Sequence, residues 1–134
     1  MTEHVPELLA EFDSISDPKM AAINAKHGDA DAIVASAGWA LTSERVVKRP
    51  EGIDEPALLD QIEHEMRDAP ERLQWAMNQT LAEIGIANPE LRDRAIDIGE
   101  RLEVLKDYPT PPNCTSPFAP IWIAEIVRRN EAKA

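Results

Sequence analysis

Apolar residues recur at helical spacing along most of the chain. The clearest example is segment 70–85, where one apolar stripe runs along about 24 Å of predicted helix. The members of this stripe follow an i, i+3, i+4, i+7 pattern: Leu73, Ala76, Met77, Thr80, Leu81 and Ile84. No segment shows the apolar–polar alternation that is typical of a strand. The pattern therefore predicts an all-α protein.

Prolines, glycines and short polar residues divide the chain into separate helices. Asp54 is expected to cap one helix, and Asn88 and Ser116, each followed by a proline, are expected to open two others. Gly85 is expected to end the helix that precedes Asn88. The prediction is six to seven helices, drawn from segments 5–14, 18–27, 30–48, 55–67, 70–85, 89–103 and 118–132.

The lengths of these segments predict their arrangement within a single domain, 1–134. Segment 30–48 with 55–67, and 70–85 with 89–103, have the spacing of antiparallel pairs in HEAT-like or armadillo-type repeats, which stack into an α-α superhelix. Sequence repetition is not visible, so an ordinary helical bundle remains an equal alternative. The domain is expected to consist of N-terminal helices 1–28, two HEAT-like pairs over 30–103, a proline-rich loop 104–117 and a capping helix 118–132.

Composition and charge narrow the classes of function. The chain has 134 residues, 14 Lys and Arg against 25 Asp and Glu, and a net charge of −11. Such a charge repels phosphate at long range and favours a protein partner over free DNA. No apolar run is long enough to span a membrane. The N-terminus lacks a basic, apolar leader, so a cytoplasmic location is expected.

Three stretches carry a resemblance to a known family. They are Ala-Gly-Trp-Ala-Leu-Thr at 37–42 with Glu-Arg-Val at 44–46, Gln-Trp-Ala-Met-Asn at 74–78 running into 81–86, and Asp-Tyr-Pro at 107–109 followed by Cys-Thr-Ser-Pro-Phe-Ala-Pro-Ile-Trp-Ile at 114–123. In these stretches the chain resembles the AlkD-like DNA alkylation repair enzyme family, whose fold is built from HEAT-like repeats. The resemblance covers about the C-terminal half of a typical member, and a weaker match lies at 24–28. A central block of helices present in family members is missing between 28 and 30.

The resemblance implies an enzyme that excises alkylated bases, or a non-catalytic relative that binds DNA by its shape. Catalytic members use an aspartate close to tryptophans on a helical face, with arginines holding phosphates. The residues four positions after the three tryptophans are not acidic: Ser43 after Trp39, Gln79 after Trp75 and Ile126 after Trp122. No catalytic residues are therefore assigned, and glycosylase activity is not expected.

Several side chains are candidates for contact with DNA. Trp75, Asn78 and Gln79 share a helical face opposite the apolar stripe, where an indole could stack on a base and two amides could bond its edge. The alternative is that Trp75 packs against a neighbouring helix while the amides face solvent. The candidates for phosphate contact are Arg45, Lys48, Arg49, Arg128 and Arg129. Their alternative role is to stabilise the C-terminal ends of helices and to pair with nearby acids.

Metal and cofactor chemistry finds little support in the sequence. The histidines, His4, His27 and His64, are scattered, and no pair of them has metal-ligand spacing. No glycine-rich phosphate loop is present, so neither a metal nor a cofactor is expected. The single cysteine, Cys114, has no histidine near it and is interpreted as a small packing residue.

Two functions of different class follow. The first is a shortened member of the alkylation repair family that binds alkylated or damaged double-stranded DNA without glycosylase activity. The second is a helical-repeat module for protein–protein interaction with no role on nucleic acid. A truncated repeat array exposes an apolar face at its end, and this predicts a homodimer, with the helices of 1–28 as candidates for exchange between protomers.

Overall fold

The computed structural model describes residues 32–133, and this part of the chain is all-helical, as predicted. Its helices are α1 (Ala32–Lys48), α2 (Glu55–Glu65), α3 (Glu71–Ala87), α4 (Arg92–Leu102) and α5 (Ala119–Lys133). No strand occurs among these residues. The described residues therefore hold five helices rather than six to seven, and segments 5–14 and 18–27 lie outside them. None of the five helices is long and apolar enough to cross a membrane.

One of the predicted helix starts is set by a side-chain cap. Asp54 Oδ1 accepts the backbone N–H of Ala57 at 3.0 Å, as expected for the residue that opens α2. Ser116 Oγ accepts the N–H of Phe118 at 3.2 Å and closes a short turn before α5, which begins at Ala119, so the expected cap at Ser116 is wrong.

The expected cap at Asn88 is wrong. Asn88 Oδ1 accepts the N–H of Glu90 at 3.0 Å and closes a short turn, and α4 begins only at Arg92. The other end of the Asn88 side chain donates to Glu55 Oε2 at 3.1 Å. Asn88 therefore ties the α3–α4 turn to the start of α2 instead of opening α4.

The expected helix end at Gly85 is also wrong, because α3 continues to Ala87. A Cβ at Gly85 would lie 2.5 Å from Ile123 Cδ1, so the missing side chain lets α5 approach α3 closely. The carbonyls at the end of α3 are bonded by Arg92, whose Nε donates to Gly85 O at 2.8 Å and whose Nη2 donates to Ile86 O at 3.1 Å. A cation at this position also suits the negative end of the helix dipole.

Helix α3 lies at the centre of the described structure and packs against each of the other helices. Its predicted stripe is buried, except that Ala76 is only half-buried. Each fully buried large side chain contributes about 1.5–3 kcal/mol to stability. The largest of them are Trp39, Leu58, Leu59, Ile62, Met66, Met77, Leu81, Ile84, Ile98 and Ile123.

The packing of α1 differs from the pairing expected from segment lengths. α1 packs chiefly against α3 and not against α2, which follows it in the chain. The buried hydroxyls of Ser43 and Thr80 join α1 to α3 with their oxygens 2.6 Å apart. Helix α2 packs against α3 and α4, and Arg101 Nη2 lies 2.5 Å from Glu63 Oε2 across the α2–α4 contact.

The proline-rich segment between α4 and α5 returns to α3. It leaves α4 through left-handed backbone at Glu103 and Leu105, whose φ angles are 57° and 62°. Near its end, Pro117 O accepts the side-chain Nδ2 of Asn78 at 2.8 Å. The loop therefore covers one side of α3 before α5 begins.

Candidate functional site

One narrow strip of α3 remains outside the core. It contains Arg72, Trp75, Gln79 and Glu83, whose i, i+3, i+7, i+11 spacing puts them on one side of a helix, and we call it the α3 strip. Arg72 and Gln79 are exposed, whereas Trp75 and Glu83 are half-buried. Thr80, on one flank of the strip, contacts α1, and Gly85, on the other, contacts α5. The strip is therefore the open surface of the central helix between two neighbours.

Trp75 packs against the proline-rich loop. Its ring and that of Tyr108 form an edge-to-face pair, with centroids 5.0 Å apart and planes at 88°. This geometry is favourable for aromatic rings and fixes the indole in place. Tyr108 is 48% exposed, so the pair forms an aromatic surface beside the strip.

The structure separates the two amides that were expected beside Trp75. Asn78 is 1% exposed, and its Nδ2 is committed to Pro117 O, so its amide is not accessible to a base. Its buried Oδ1 has no hydrogen-bond partner among residues 32–133. Gln79 is exposed on the strip, so Trp75 and Gln79 lie on one surface and Asn78 does not.

Sequence reasoning missed Arg72 and Glu83. Within the described residues, Arg72 makes no ion pair and the carboxylate of Glu83 has no hydrogen-bonded partner. Burial raises the pKa of Glu83, because the ionised carboxylate loses part of its hydration. The helical spacing of both residues from Gln79 was visible in the sequence and could have found them.

The basic cluster at the end of α1 adopts the structural role given as its alternative. Arg45 Nη2 donates to Glu51 O at 3.3 Å, and Lys48 Nζ lies 3.2 Å from Glu44 Oε1. Arg49 is exposed just after the helix, where its backbone N–H bonds to Arg45 O at 2.8 Å. These cations stand at the negative end of α1.

Arg128 and Arg129 share one carboxylate on α5. Arg128 donates to both oxygens of Glu125, at 2.7 and 3.2 Å, and Arg129 Nε donates to Oε1 at 2.9 Å. The hydrogen bonds from Arg128 and then Arg129 lower the pKa of Glu125 from 4.5 to about 2. Arg129 Nη2 also donates to Thr115 Oγ1 at 3.2 Å, which connects α5 to the proline-rich loop.

A cleft of about 640 Å³ lies between the proline-rich loop and α5, and we call it the α5 cleft. Arg129, Glu125 and Ile121 form its helical wall. The loop supplies the rest: Thr110, Pro111, Pro112, Asn113, Cys114, Thr115 and Ser116. Cys114 is exposed here, so its interpretation as a packing residue is wrong. In the described part of the chain, no three His, Cys, Asp or Glu side chains are grouped as metal ligands.

Searches of the curated proteins and of the solved structures found no match to this chain.

A protein-family model does match this chain. The model for DNA alkylation repair enzymes matches residues 28–123, which is more than half of the 134 residues. This match includes all three stretches that carry the resemblance, together with the α3 strip. The chain belongs to the DNA alkylation repair enzyme family.

Proposed function

We propose that this chain binds double-stranded DNA containing alkylated bases through the α3 strip, and that it does not excise the base. The observation that supports this most is the strip itself. It combines an aromatic ring, an amide, a carboxylate and an arginine without an acidic partner on the open side of the central helix. Membership of a DNA repair family supplies the substrate class.

The strip has the chemistry to distinguish an alkylated base from an ordinary one. Alkylation at a ring nitrogen gives a purine a positive charge. The faces of Trp75 and Tyr108 attract cations through their π-electrons. Gln79 can bond the edge of the base.

Phosphate contacts are proposed for Arg72 and for the basic cluster Arg45, Lys48 and Arg49. The pair between Lys48 and Glu44 is exposed, and such surface pairs are worth about 0–1 kcal/mol, so phosphate can replace the carboxylate. The net charge of −11 still opposes association with DNA. Binding should therefore be weak and strongly salt-dependent.

The absence of base excision is proposed from the position of the acids. The resemblance implies an aspartate close to a tryptophan, whereas Glu83 comes eight residues after Trp75, about 12 Å along the helix axis. Glu125, three residues after Trp122, has its charge balanced by Arg128 and Arg129. Neither carboxylate is well placed to stabilise the cation that forms when a glycosidic bond breaks.

The test compares duplexes that differ only in one alkylated base. Wild-type protein should bind the alkylated duplex more tightly at low salt and should release no free base above the protein-free background. Trp75→Ala should remove the preference, whereas Asn130→Ala, a control at an exposed neutral residue of α5, should leave it intact. Equal binding of the two duplexes by wild-type protein would contradict the proposal.

For the arrangement of the helices, we propose a HEAT-like stack. Helices α1, α3 and α5 would form one layer, since α1 and α5 contact opposite flanks of α3, and α2 and α4 would form the second layer. The α3 strip would then be the open surface of the first layer.

A second candidate function, self-association, is favoured by the outer face of α1. Ile33 and Val47 are 66% and 55% exposed, and Ala37 and Ala40 lie on the same side of the helix. We propose that this face joins two copies of the chain into a homodimer. Light scattering should give twice the monomer mass, and Ile33→Glu should reduce it to that of a monomer. The control Ile121→Glu changes a comparably exposed isoleucine on α5 and should leave the dimer intact.

A further inference from the structure

We propose that the α5 cleft binds a phosphate group, with the guanidinium of Arg129 as its cationic contact. This deepens the proposed function where the phosphate belongs to DNA, but the site itself is defined by chemistry that a free phosphate shares. The cleft is separate from the α3 strip, and its polar groups come from the loop and α5.

The charges around the cleft leave a net positive group in a strongly acidic chain. Glu125 is one carboxylate between two guanidinium groups, those of Arg128 and Arg129. Arg128 donates hydrogen bonds to both carboxylate oxygens of Glu125, and it does not line the cleft. Arg129 lines it beside Glu125, so the cleft presents a guanidinium next to a carboxylate that Arg128 also neutralises.

Arg129 is held in position before any ligand arrives. Its Nε donates to Glu125 and its Nη2 donates to Thr115 Oγ1, which ties the guanidinium to α5 and to the loop. The Nη1 group has no partner among residues 32–133, and the side chain is 48% exposed. A guanidinium fixed in this way loses little conformational freedom when it binds an anion, and its planar donors match phosphate oxygens.

The remaining walls of the cleft suit a phosphate that carries an organic group. The hydroxyl of Ser116 and the amide of Asn113 can donate to phosphate oxygens. Pro111 and Ile121 provide apolar surface for an attached sugar or base. The volume of about 640 Å³ is in the range of small-ligand sites.

Inorganic phosphate tests the site directly. In an NMR titration of wild-type protein, the amide signals of residues 113–116 should shift saturably. Arg129→Gln should lose the shift, Thr115→Val should weaken binding several-fold, and Lys133→Gln should retain it. The Lys133 variant is a matched control, because it removes one exposed cation from the same helix and Lys133 does not line the cleft. Absence of a saturable shift in wild-type protein, or an unchanged shift in Arg129→Gln, would overturn the proposal.

A second arm identifies the source of the phosphate. If the cleft takes a DNA phosphate, Arg129→Gln should lower the slope of log K against log salt by about 0.9 for duplex binding, and Lys133→Gln should leave the slope unchanged. An unchanged slope together with a positive phosphate titration would assign the cleft to a free phosphate compound. If wild-type protein does not bind duplex at all, the proposed DNA function fails while the phosphate titration still decides the cleft.

Discussion

The hydroxyl oxygens of Ser43 and Thr80 lie 2.6 Å apart, buried where α1 packs against α3. Thr80 Oγ1 also lies 3.2 Å from Ala76 O and 3.3 Å from Trp39 O. Water cannot reach these groups, so the polar contact must be satisfied within the protein. The pair therefore fixes how α1 sits against the flank of the α3 strip.

Removing one of these hydroxyls should destabilise the protein. Thr80→Val leaves Ser43 without its partner, and an unsatisfied buried hydroxyl costs about 1–3 kcal/mol. Thermal unfolding should show a lower Tm for Thr80→Val and for Ser43→Ala. The double variant should lose less stability than the sum of the two single variants, because removal of both groups leaves none unpaired. Strict additivity would contradict the direct contact.

A side chain at Gly85 should separate α3 from α5. The new methyl group of Gly85→Ala would lie 2.5 Å from Ile123 Cδ1 and 3.2 Å from Ala95 Cβ. Overpacking of this kind costs about 1–3 kcal/mol, which exceeds the helix-propensity gain of about 0.5–1 kcal/mol. Denaturant unfolding should show the loss. Adding Ile123→Val removes the clashing methyl and should recover part of it, whereas a Gly85→Ala protein more stable than wild type would refute the close approach.

These contacts show which features local sequence rules can predict. The stripe of segment 70–85 predicts the buried face of α3, and Asp54 predicts the start of α2, because both depend on residues within a few positions. Gly85 was expected to end a helix, but its partner Ile123 is 38 positions away in sequence. Gly85 instead allows α5 to pack closely against α3, and no local sequence pattern reveals this role.

The residues of the candidate site were also only partly predictable from local sequence. Helical spacing finds Trp75 and Gln79 and would also have found Arg72 and Glu83. It cannot find the burial of Asn78, because this depends on the return of the loop at Pro117, 39 positions later. The partner of Trp75, Tyr108, is 33 positions away in sequence and is brought close only by the fold.

Glu83 should limit stability at neutral pH. Its pKa is raised by burial, so above that pKa the folded state carries a poorly hydrated charge that the unfolded state hydrates fully. Glu83→Gln should therefore raise Tm at pH 7. The gain should shrink as the pH falls through the raised pKa, since the wild-type carboxyl then becomes neutral. Glu131→Gln, an exposed change on α5, should leave Tm unaltered. A lower Tm for Glu83→Gln at pH 7 would oppose this assignment.

Glu125 should stabilise the folded protein at neutral pH, whereas Glu83 should destabilise it. Its folded pKa of about 2 lies below 4.5, so its contribution to stability is complete above about pH 4.5 and is lost as the pH falls through about 2. A carboxyl-carbon NMR titration should place the midpoint near 2 in wild-type protein. The midpoint should move upward in Arg128→Gln and furthest in the double Arg128→Gln, Arg129→Gln variant. A midpoint near 4.5 in wild-type protein would exclude the shared ion pair.

The central claim, that the α3 strip contacts DNA, is tested most directly by the fluorescence of Trp75. Trp39 is buried, so a base that stacks on the strip should quench Trp75 selectively. Addition of an alkylated duplex at low salt should quench wild-type protein and Trp122→Phe to a saturable level. Trp75→Phe, which keeps an aromatic ring but removes the reporting indole, should show no such quenching. Equal quenching in Trp75→Phe and wild-type protein, or none in either, would contradict the assignment of the α3 strip as the DNA-binding surface.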